Sequence, residues 1–312
     1  MLKLFIKLRG GGLGDQTLDI LGALVVAKYL EYHKLYVITN AIPRNHHVHG
    51  DLNYDYTLLN IKPDMFEVEC IPEDAPYEDL KDSCDILHFI DASASSAPRL
   101  VINLLQGKGL NLNIHELIET YKELSKFIKP SEIIYPYILD CGCDLIGIHV
   151  RTSDKIHQHR SCTVFSNMIE YEENFKKIVQ DVLKDLETNP HAKVFVCGEL
   201  IDDVNRMTNA LKSHNSNIDL LEAPPIPANL VAKHKGIYAV QDMFCLSKCK
   251  KIYQTVGYST FSLLASFIGA SELINYWAGN SPTLLYAYLE QDYPLTAHCC
   301  HSFRHPELHI NG

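Results

Sequence analysis

The feature that most constrains the fold is the apolar run Leu145-Ile146-Gly147-Ile148-His149-Val150. It is followed directly by the polar residues Arg151, Thr152, Ser153, Asp154 and Lys155. A nearly continuous apolar run of this length is typical of a parallel strand that is buried on both faces of its sheet. In open α/β sheets, ligands bind just beyond the carboxyl ends of such strands. We therefore expect Arg151 to lie at a ligand site, where its planar, permanently charged guanidinium suits a phosphate or diphosphate. A surface loop with an Arg151–Asp154 ion pair is the alternative interpretation.

A second transition from strand to helix opens the chain. An apolar strand at residues 2–8 leads into a turn with glycines at positions 10, 11, 12 and 14, and a helical apolar pattern follows at 18–32. Glycines let the backbone approach a ligand closely, and the N-terminus of the next helix presents free N–H groups. The spacing does not meet G-x-G-x-x-G, and the second strand ends at Asn40 instead of an acid, so a nicotinamide-dinucleotide site is not indicated. A plain tight turn between strand and helix remains open.

A third transition lies late in the chain. A helix is predicted at 242–249 with Asp242 at its start, a strand at 251–255, and a further apolar helix from Ser262 onward. Between this strand and the last helix come Ser259 and Thr260. Their hydroxyls and amides suit both the capping of a helix and the binding of phosphate oxygens.

Taken together, the three segments resemble the metal-independent fucosyltransferases that use GDP-fucose, chiefly the α-1,2 group and more loosely the α-1,6, nodulation and protein-O-fucosylating groups. The family's Gly-Gly-Leu-Gly-Asn-Gln loop matches Gly11 to Gln16, and its His-Val-Arg-Arg motif matches the segment from His149 to Asp154. Its late motif matches Asp242, Cys249 and Ser259 to Ser262. A weaker match is the strand 193–197 followed by Gly198, Glu199, Asp202 and Asp203.

The chain departs from the family at two positions where chemistry is expected. Thr152 stands where the family has a second Arg, and Asp15 stands where it has Asn. These departures keep two alternatives open. One is transfer of another sugar, such as xylose or rhamnose from a UDP or GDP donor, on the same scaffold. The other is a non-catalytic nucleotide- or carbohydrate-binding protein.

The resemblance implies an α/β, GT-B-like fold with two facing doubly wound (Rossmann-like) domains. Alternating strand and helix patterns permit this architecture, and 312 residues suffice for two domains of ordinary size. We place an N-terminal domain at 1–135 on the acceptor side, a C-terminal domain at 140–290 on the nucleotide-sugar donor side, and a tail at 291–312.

The resemblance also implies an inverting transfer of fucose to a hydroxyl of a glycan or glycoside. Arg151 would neutralise the charge that grows on the β-phosphate, and Asp15 would accept the proton of the acceptor hydroxyl. Glu199 is a reserve candidate for the base, and a helix N-cap is the alternative role for Asp15. The residues expected to bind the donor are Gly11, Gly12, Gly14, Gln16, His149, Asp154, Glu199, Asp242, Ser259, Thr260, Phe261 and Ser262.

Composition excludes other classes of protein. The formal net charge of -10 and the lack of a basic stripe argue against nucleic-acid binding. No apolar run approaches the roughly 20 residues that span a bilayer, and the N-terminal strand is not a signal peptide, so a cytoplasmic location is expected. We expect neither a cofactor nor a metal, because the segments that would form the cleft contain no obvious Asp-x-Asp metal cage. The tail pair Cys299-Cys300, although flanked by His298 and His301, lacks the C-x-x-C spacing of zinc sites.

Overall fold

The computed structural model describes residues 2–7, 12–38, 54–71, 84–88, 97–140, 142, 144–151, 168–256 and 259–275. These residues form two compact units. Among the described residues, the first contains the chain up to Pro136 together with Ile226–Val240, and the second contains Tyr137–Pro225 and residues 241–275. Each unit is built around its own parallel sheet.

The first unit has a four-stranded sheet in the order β4-β2-β1-β5, in which every neighbouring pair is parallel. Its strands are β1 (Lys3–Lys7), β2 (Lys34–Ile38), β4 (Glu67–Ile71) and β5 (Asp85–His88). Its helices are α1 (Leu13–Tyr29), α2 (Ala97–Gly107), α3 (Ile114–Ser125) and the short α6 (Ala228–Lys233). A separate antiparallel pair joins β3 (Leu59–Ile61) to β6 (Ile128–Pro130).

Helix α1 is the central helix of this unit. Its residues from Leu13 to Ala27 are buried with the single exception of Asp15. A helix that is buried on all sides needs packing partners on all sides, and α1 obtains them from β1, β2, α2 and α3. The first turn of α1, which follows β1 and the glycine segment, is thereby held in a rigid setting.

The second unit has a five-stranded parallel sheet in the order β11-β10-β7-β8-β9. The strands are β7 (Leu145–Val150), β8 (Lys193–Gly198), β9 (Leu220–Leu221), β10 (Lys251–Gln254) and β11 (Glu272–Asn275). The helices are α4 (Met168–Thr188), α5 (Ile201–His214) and α8 (Thr260–Gly269), while α7 (Ile237–Leu246) contains the boundary between the units. The strand order reverses direction between β7 and β10, and such a switch point is where open α/β sheets bind ligands.

One face of α4 supplies much of the core of this unit. Tyr171, Phe175, Ile178 and Val182 recur at helical spacing and are buried in one cluster with residues of β7. Each fully buried side chain of this size contributes about 1.5–3 kcal/mol relative to its exposed state. The packing fixes β7 from one side, so the ligand edge of the sheet is held in place.

The predicted α/β class is confirmed, and β7 has the bounds that its apolar run predicted, with all six residues buried. The helix predicted at 242–249 is wrong at both ends, because α7 runs from Ile237 to Leu246. Asp242 therefore lies in the second turn of α7 and does not begin it. None of the helices in the described part of the chain is long and apolar enough to cross a membrane.

Candidate functional site

The carboxyl ends of β7 and β10 are joined through the side chain of Thr255. Its buried hydroxyl accepts a hydrogen bond from the backbone N–H of Arg151 at 2.9 Å and donates to the carbonyl of Arg151 at 3.1 Å. The backbone N–H of Thr255 donates to the carbonyl of His149 at 3.2 Å. The main chain of Arg151 is thus fixed on both sides. Sequence reasoning missed Thr255, although a hydroxyl directly after a strand that ends at a site was a usable signal.

The guanidinium of Arg151 forms an ion pair with Glu199. One nitrogen lies 3.3 Å from a carboxylate oxygen, and the two side chains are 24% and 31% exposed. Glu199 follows β8, whose last residue, Gly198, lies so close to Val150 that a Cβ atom there would overlap the carbonyl oxygen of Val150. A glycine at 198 therefore lets the two strands end side by side. An incoming anion would compete with Glu199 for Arg151.

His149 is the buried polar residue of β7 and takes its partners from α8. Its Nδ1 lies 2.6 Å from the hydroxyl of Ser262 and 3.3 Å from that of Ser259, and its ring packs at 4.9 Å from the ring of Phe261. Burial, together with the charge of Arg151, lowers the pKa of His149 to about 3. The imidazole is consequently neutral at physiological pH and acts as a fixed hydrogen-bonding group.

The N-terminus of α8 lies at the same edge of the sheet. Ser259 occupies the N-cap position, and its hydroxyl accepts from the N–H of Ser262 at 3.5 Å. Thr260 and Phe261 form the first turn and are partly buried. The first N–H groups of a helix and its dipole favour an anion at this end, so α8 adds neutral donors beside the charge of Arg151.

Asp242 brings a carboxyl group with an altered pKa to the second unit. It is partly buried on α7, and burial raises its pKa to about 7. Burial raises the pKa values of the thiols Cys197 and Cys245, and the charge of Asp242 adds to both shifts. Within the described part of the chain the carboxyl group makes no hydrogen bond or ion pair.

The other predicted residues lie at the start of α1 in the first unit. Gly12 is the N-cap residue, so the alternative that Asp15 caps this helix is wrong; Asp15 lies within the first turn and is partly exposed. Gly14 and Gln16 are buried, and the amide oxygen of Gln16 accepts a hydrogen bond from the hydroxyl of Tyr56. The structure thus brings these residues together, and their predicted roles stay predictions.

Several predicted positions lie outside the described residues. These are Gly11, Thr152, Asp154, Lys155 and the tail at 291–312. Among the residues that the structure does describe, no group of three or more His, Cys, Asp or Glu side chains is placed to hold a metal ion.

No protein-family model and no curated protein sequence matches the chain. Solved structures of fucosyltransferases do resemble it in fold. NodZ α-1,6-fucosyltransferase soaked with GDP-fucose superposes with a TM-score of 0.54 at 16% identity, over 89% of this chain and 96% of NodZ. Fucosyltransferase NodZ from Bradyrhizobium gives 0.54 at 15% identity, over 88% and 96%. POFUT1 in complex with GDP-fucose gives 0.50 at 13% identity, over 86% of this chain and 96% of POFUT1.

Identities of 16% and below establish a common fold and nothing finer. The predicted α-1,2 group is not among these structures, so that subtype stays a prediction. With its two parallel sheets and the reversal of strand order between β7 and β10, the chain has the α/β fold of the GT-B fucosyltransferases.

Proposed function

We propose that the protein is a glycosyltransferase that moves fucose from GDP-fucose to a hydroxyl group of a glycan or glycoside. The observation that carries this proposal is the group at the switch point of the second sheet. It combines one permanent cation, Arg151, with the neutral donors of His149, Ser259 and the first turn of α8. Such a group suits a diphosphate. The likeness in fold to NodZ and to POFUT1, both described with GDP-fucose, supports this choice of donor.

Arg151 would carry the main electrostatic part of the reaction. The bond between the anomeric carbon of fucose and the β-phosphate oxygen breaks, and its electron pair stays on the diphosphate as a growing negative charge. The guanidinium, whose main chain is held by Thr255, would stabilise that charge once the diphosphate displaces Glu199. Since Arg151 and the α8 amides neutralise the leaving group in this proposal, the transfer needs no metal ion.

Asp242 would hold the base of the nucleotide, and His149 would position the donor. Guanine presents two neighbouring donors, the ring N–H and the exocyclic amine, and a carboxylate presents two acceptor oxygens. The oxygens of Asp242 are not engaged by any described residue. The hydroxyl of Ser262 can donate to Nδ1 of His149, which leaves the ring proton on Nε2 for a ligand acceptor.

Asp15 is the proposed general base. It would accept the proton of the acceptor hydroxyl while the oxygen bonds to the anomeric carbon from the face opposite the leaving diphosphate, so the configuration inverts. Its position in the first turn of α1, next to Gly14, gives it a partly exposed carboxylate on a rigid helix. Glu199 is the reserve base, although its carboxylate forms an ion pair with Arg151 that an incoming diphosphate would displace.

The experiment is a calorimetric titration of the purified protein with GDP, GDP-fucose, UDP and UDP-xylose in EDTA, followed by an assay of GDP release. We expect binding of the two guanine ligands alone and slow release of GDP from GDP-fucose with water as acceptor. Tighter binding of the uridine ligands would indicate that the donor is a UDP-sugar and not GDP-fucose. Binding of GDP-fucose without any release or transfer would favour the non-catalytic alternative.

A pair of variants locates the site. Arg151→Ala should lose binding and turnover, while Arg206→Ala removes the same charge from a surface ion pair with Glu172 and should leave both unchanged. If Arg151→Ala retains the binding and turnover of Arg206→Ala, the diphosphate does not bind at Arg151.

A further inference from the structure

A buried imidazole–carboxylate pair lies in the first unit, outside the group at β7 and β10. Nδ1 of His234 is 2.6 Å from a carboxylate oxygen of Asp55, and the side chains are 5% and 25% exposed. Burial alone would raise the pKa of Asp55, but hydrogen bonds from Thr57 and His234 outweigh it and lower the pKa. The carboxylate is therefore ionised at neutral pH, and it holds the Nδ1 proton of His234.

The pair is part of a wider junction between two distant segments of the chain. The other oxygen of Asp55 accepts from the N–H of Thr57 at 2.9 Å and so caps the 3-10 turn Tyr56–Leu58. The N–H of Asp55 donates to the carbonyl of Lys235 at 3.1 Å. The junction thus fixes the turn through both the side chain and the backbone of Asp55.

Gly236 closes the same junction. It has a φ of +71°, which favours glycine, and an added Cβ atom would overlap the ring of Tyr54. The segment around His234 consequently lies directly against the residues that precede the 3-10 turn.

Tyr56, the first residue of that turn, connects the junction to α1. Its hydroxyl donates to the amide oxygen of Gln16, and both side chains are buried. Burial is the main cause of the raised pKa of Tyr56, and the charges of Tyr54, Asp19 and Asp15 add to it. The N–H of Gln16 donates to the carbonyl of Gly12 at 3.1 Å, which is the first hydrogen bond of the helix.

We propose that His234 and Asp55 are positioning residues for the first turn of α1. They hold the 3-10 turn, Tyr56 holds Gln16, and Gln16 fixes the backbone from Gly12 to Asp15. The inference rests on the proposed function, because that function gives Asp15 a hydroxyl to deprotonate. An isolated structural pair would stabilise the fold without affecting Asp15, whereas this chain of contacts ends at the residue beside it.

Three variants test the chain of contacts. His234→Ala removes the donor to Asp55, and His234→Asn keeps a donor at the position of Nδ1 but has no group at Nε2. Tyr56→Phe removes only the hydroxyl that reaches Gln16, so it tests the chain even where His234→Ala does not fold. Each variant is first checked for cooperative thermal unfolding.

The first readout is deuterium uptake at the amides of residues 12–18, which does not depend on any activity. We expect faster uptake in His234→Ala and Tyr56→Phe and wild-type uptake in His234→Asn. Unchanged uptake at these amides in folded His234→Ala and Tyr56→Phe would overturn the proposal. Failure of the wild-type protein to bind GDP-fucose would instead refute the proposed function and leave this readout intact.

The second readout is kcat for GDP release from GDP-fucose. Misplacement of a reacting group commonly costs about tenfold to a hundredfold in rate, and we expect a loss of this size in His234→Ala and Tyr56→Phe. His234→Asn should recover to within about twofold, because the hydrogen bond to Asp55 is restored. If His234→Asn loses as much kcat as His234→Ala, the imidazole itself is required and the positioning role is wrong.

Discussion

Binding of GDP-fucose should depend on pH through Asp242. Its folded-state pKa of about 7 lies above its ordinary value of 3.8 because the carboxyl group is desolvated. Ionisation of this group therefore destabilises the folded protein: the cost is absent below the ordinary pKa, grows as the pH rises toward 7, and is complete above it. A ligand that donates hydrogen bonds to the carboxylate relieves this cost. It binds the ionised form, and so it lowers the pKa of Asp242.

The size of the effect follows from the pKa. If only ionised Asp242 accepts guanine, affinity falls tenfold for each pH unit below the pKa, or about 30-fold between about pH 8 and about pH 5.5. About half a proton should be released per bound ligand when the pH equals the pKa. His149 adds nothing to this slope, because its pKa of about 3 keeps it neutral throughout the range.

The assay is calorimetry with GDP-fucose in buffers of different ionisation enthalpy. GDP-fucose is preferred over GDP because its terminal phosphate is esterified and does not titrate in this range. Asp242→Asn should bind more weakly than the wild type at high pH and show no slope. The matched control is Asp219→Asn, which removes a carboxylate from a surface ion pair with Lys193 and should keep the wild-type slope. An affinity that does not vary with pH, or a slope that survives in Asp242→Asn, would refute the contact between Asp242 and guanine.

Three further substitutions test the neighbouring contacts. Thr255→Val removes both hydrogen bonds to Arg151 and should cost about 1–3 kcal/mol in urea unfolding along with much of the GDP-release rate, whereas Thr255→Ser should retain both properties. Glu199→Gln removes the carboxylate that competes for Arg151 and should tighten GDP binding in calorimetry by up to about fivefold, because an ion pair of this kind contributes at most about 1 kcal/mol. Weaker binding would show that Glu199 itself contacts the donor. Tyr253→Phe removes a 2.6 Å hydrogen bond to Asp185 and should lower urea stability by about 1 kcal/mol without changing the affinity for GDP.

The sequence predicts best what depends on neighbouring residues. The bounds of β7 follow from its continuous apolar run, whereas α8 begins at Thr260 and not at the predicted Ser262, because Ser259 is its N-cap residue. The predicted start of α7 is wrong because Asp242, a residue type that commonly begins helices, lies in the second turn of this one. The helix begins earlier, directly after Gly236, whose positive φ is not a helical conformation.

Contacts between distant residues could not be predicted in this way. Asp55 and His234 are separated by 179 positions, and Arg151 and Thr255 by 104. Neither pair belongs to a periodic pattern, and only the order of the strands and the return of residues 226–240 to the first unit bring the partners together. The apolar run before Arg151 and the family motif both indicated this residue, but neither indicated that Thr255 holds its main chain.

His149 shows most clearly where packing and function diverge. Its strand is buried on both faces, and an apolar side chain at this position would pack without any need for partners. The chain instead has an imidazole that must be desolvated. Its Nδ1 forms hydrogen bonds with Ser259 and Ser262, which lie 110 and 113 positions later in the chain. Polar groups buried in this way contribute little net stability, since their hydrogen bonds mainly offset the desolvation. Because the same imidazole is held neutral beside a permanent cation, at the edge where the strand order reverses, the arrangement is better explained by a ligand that needs a fixed neutral hydrogen-bonding group next to a positive charge.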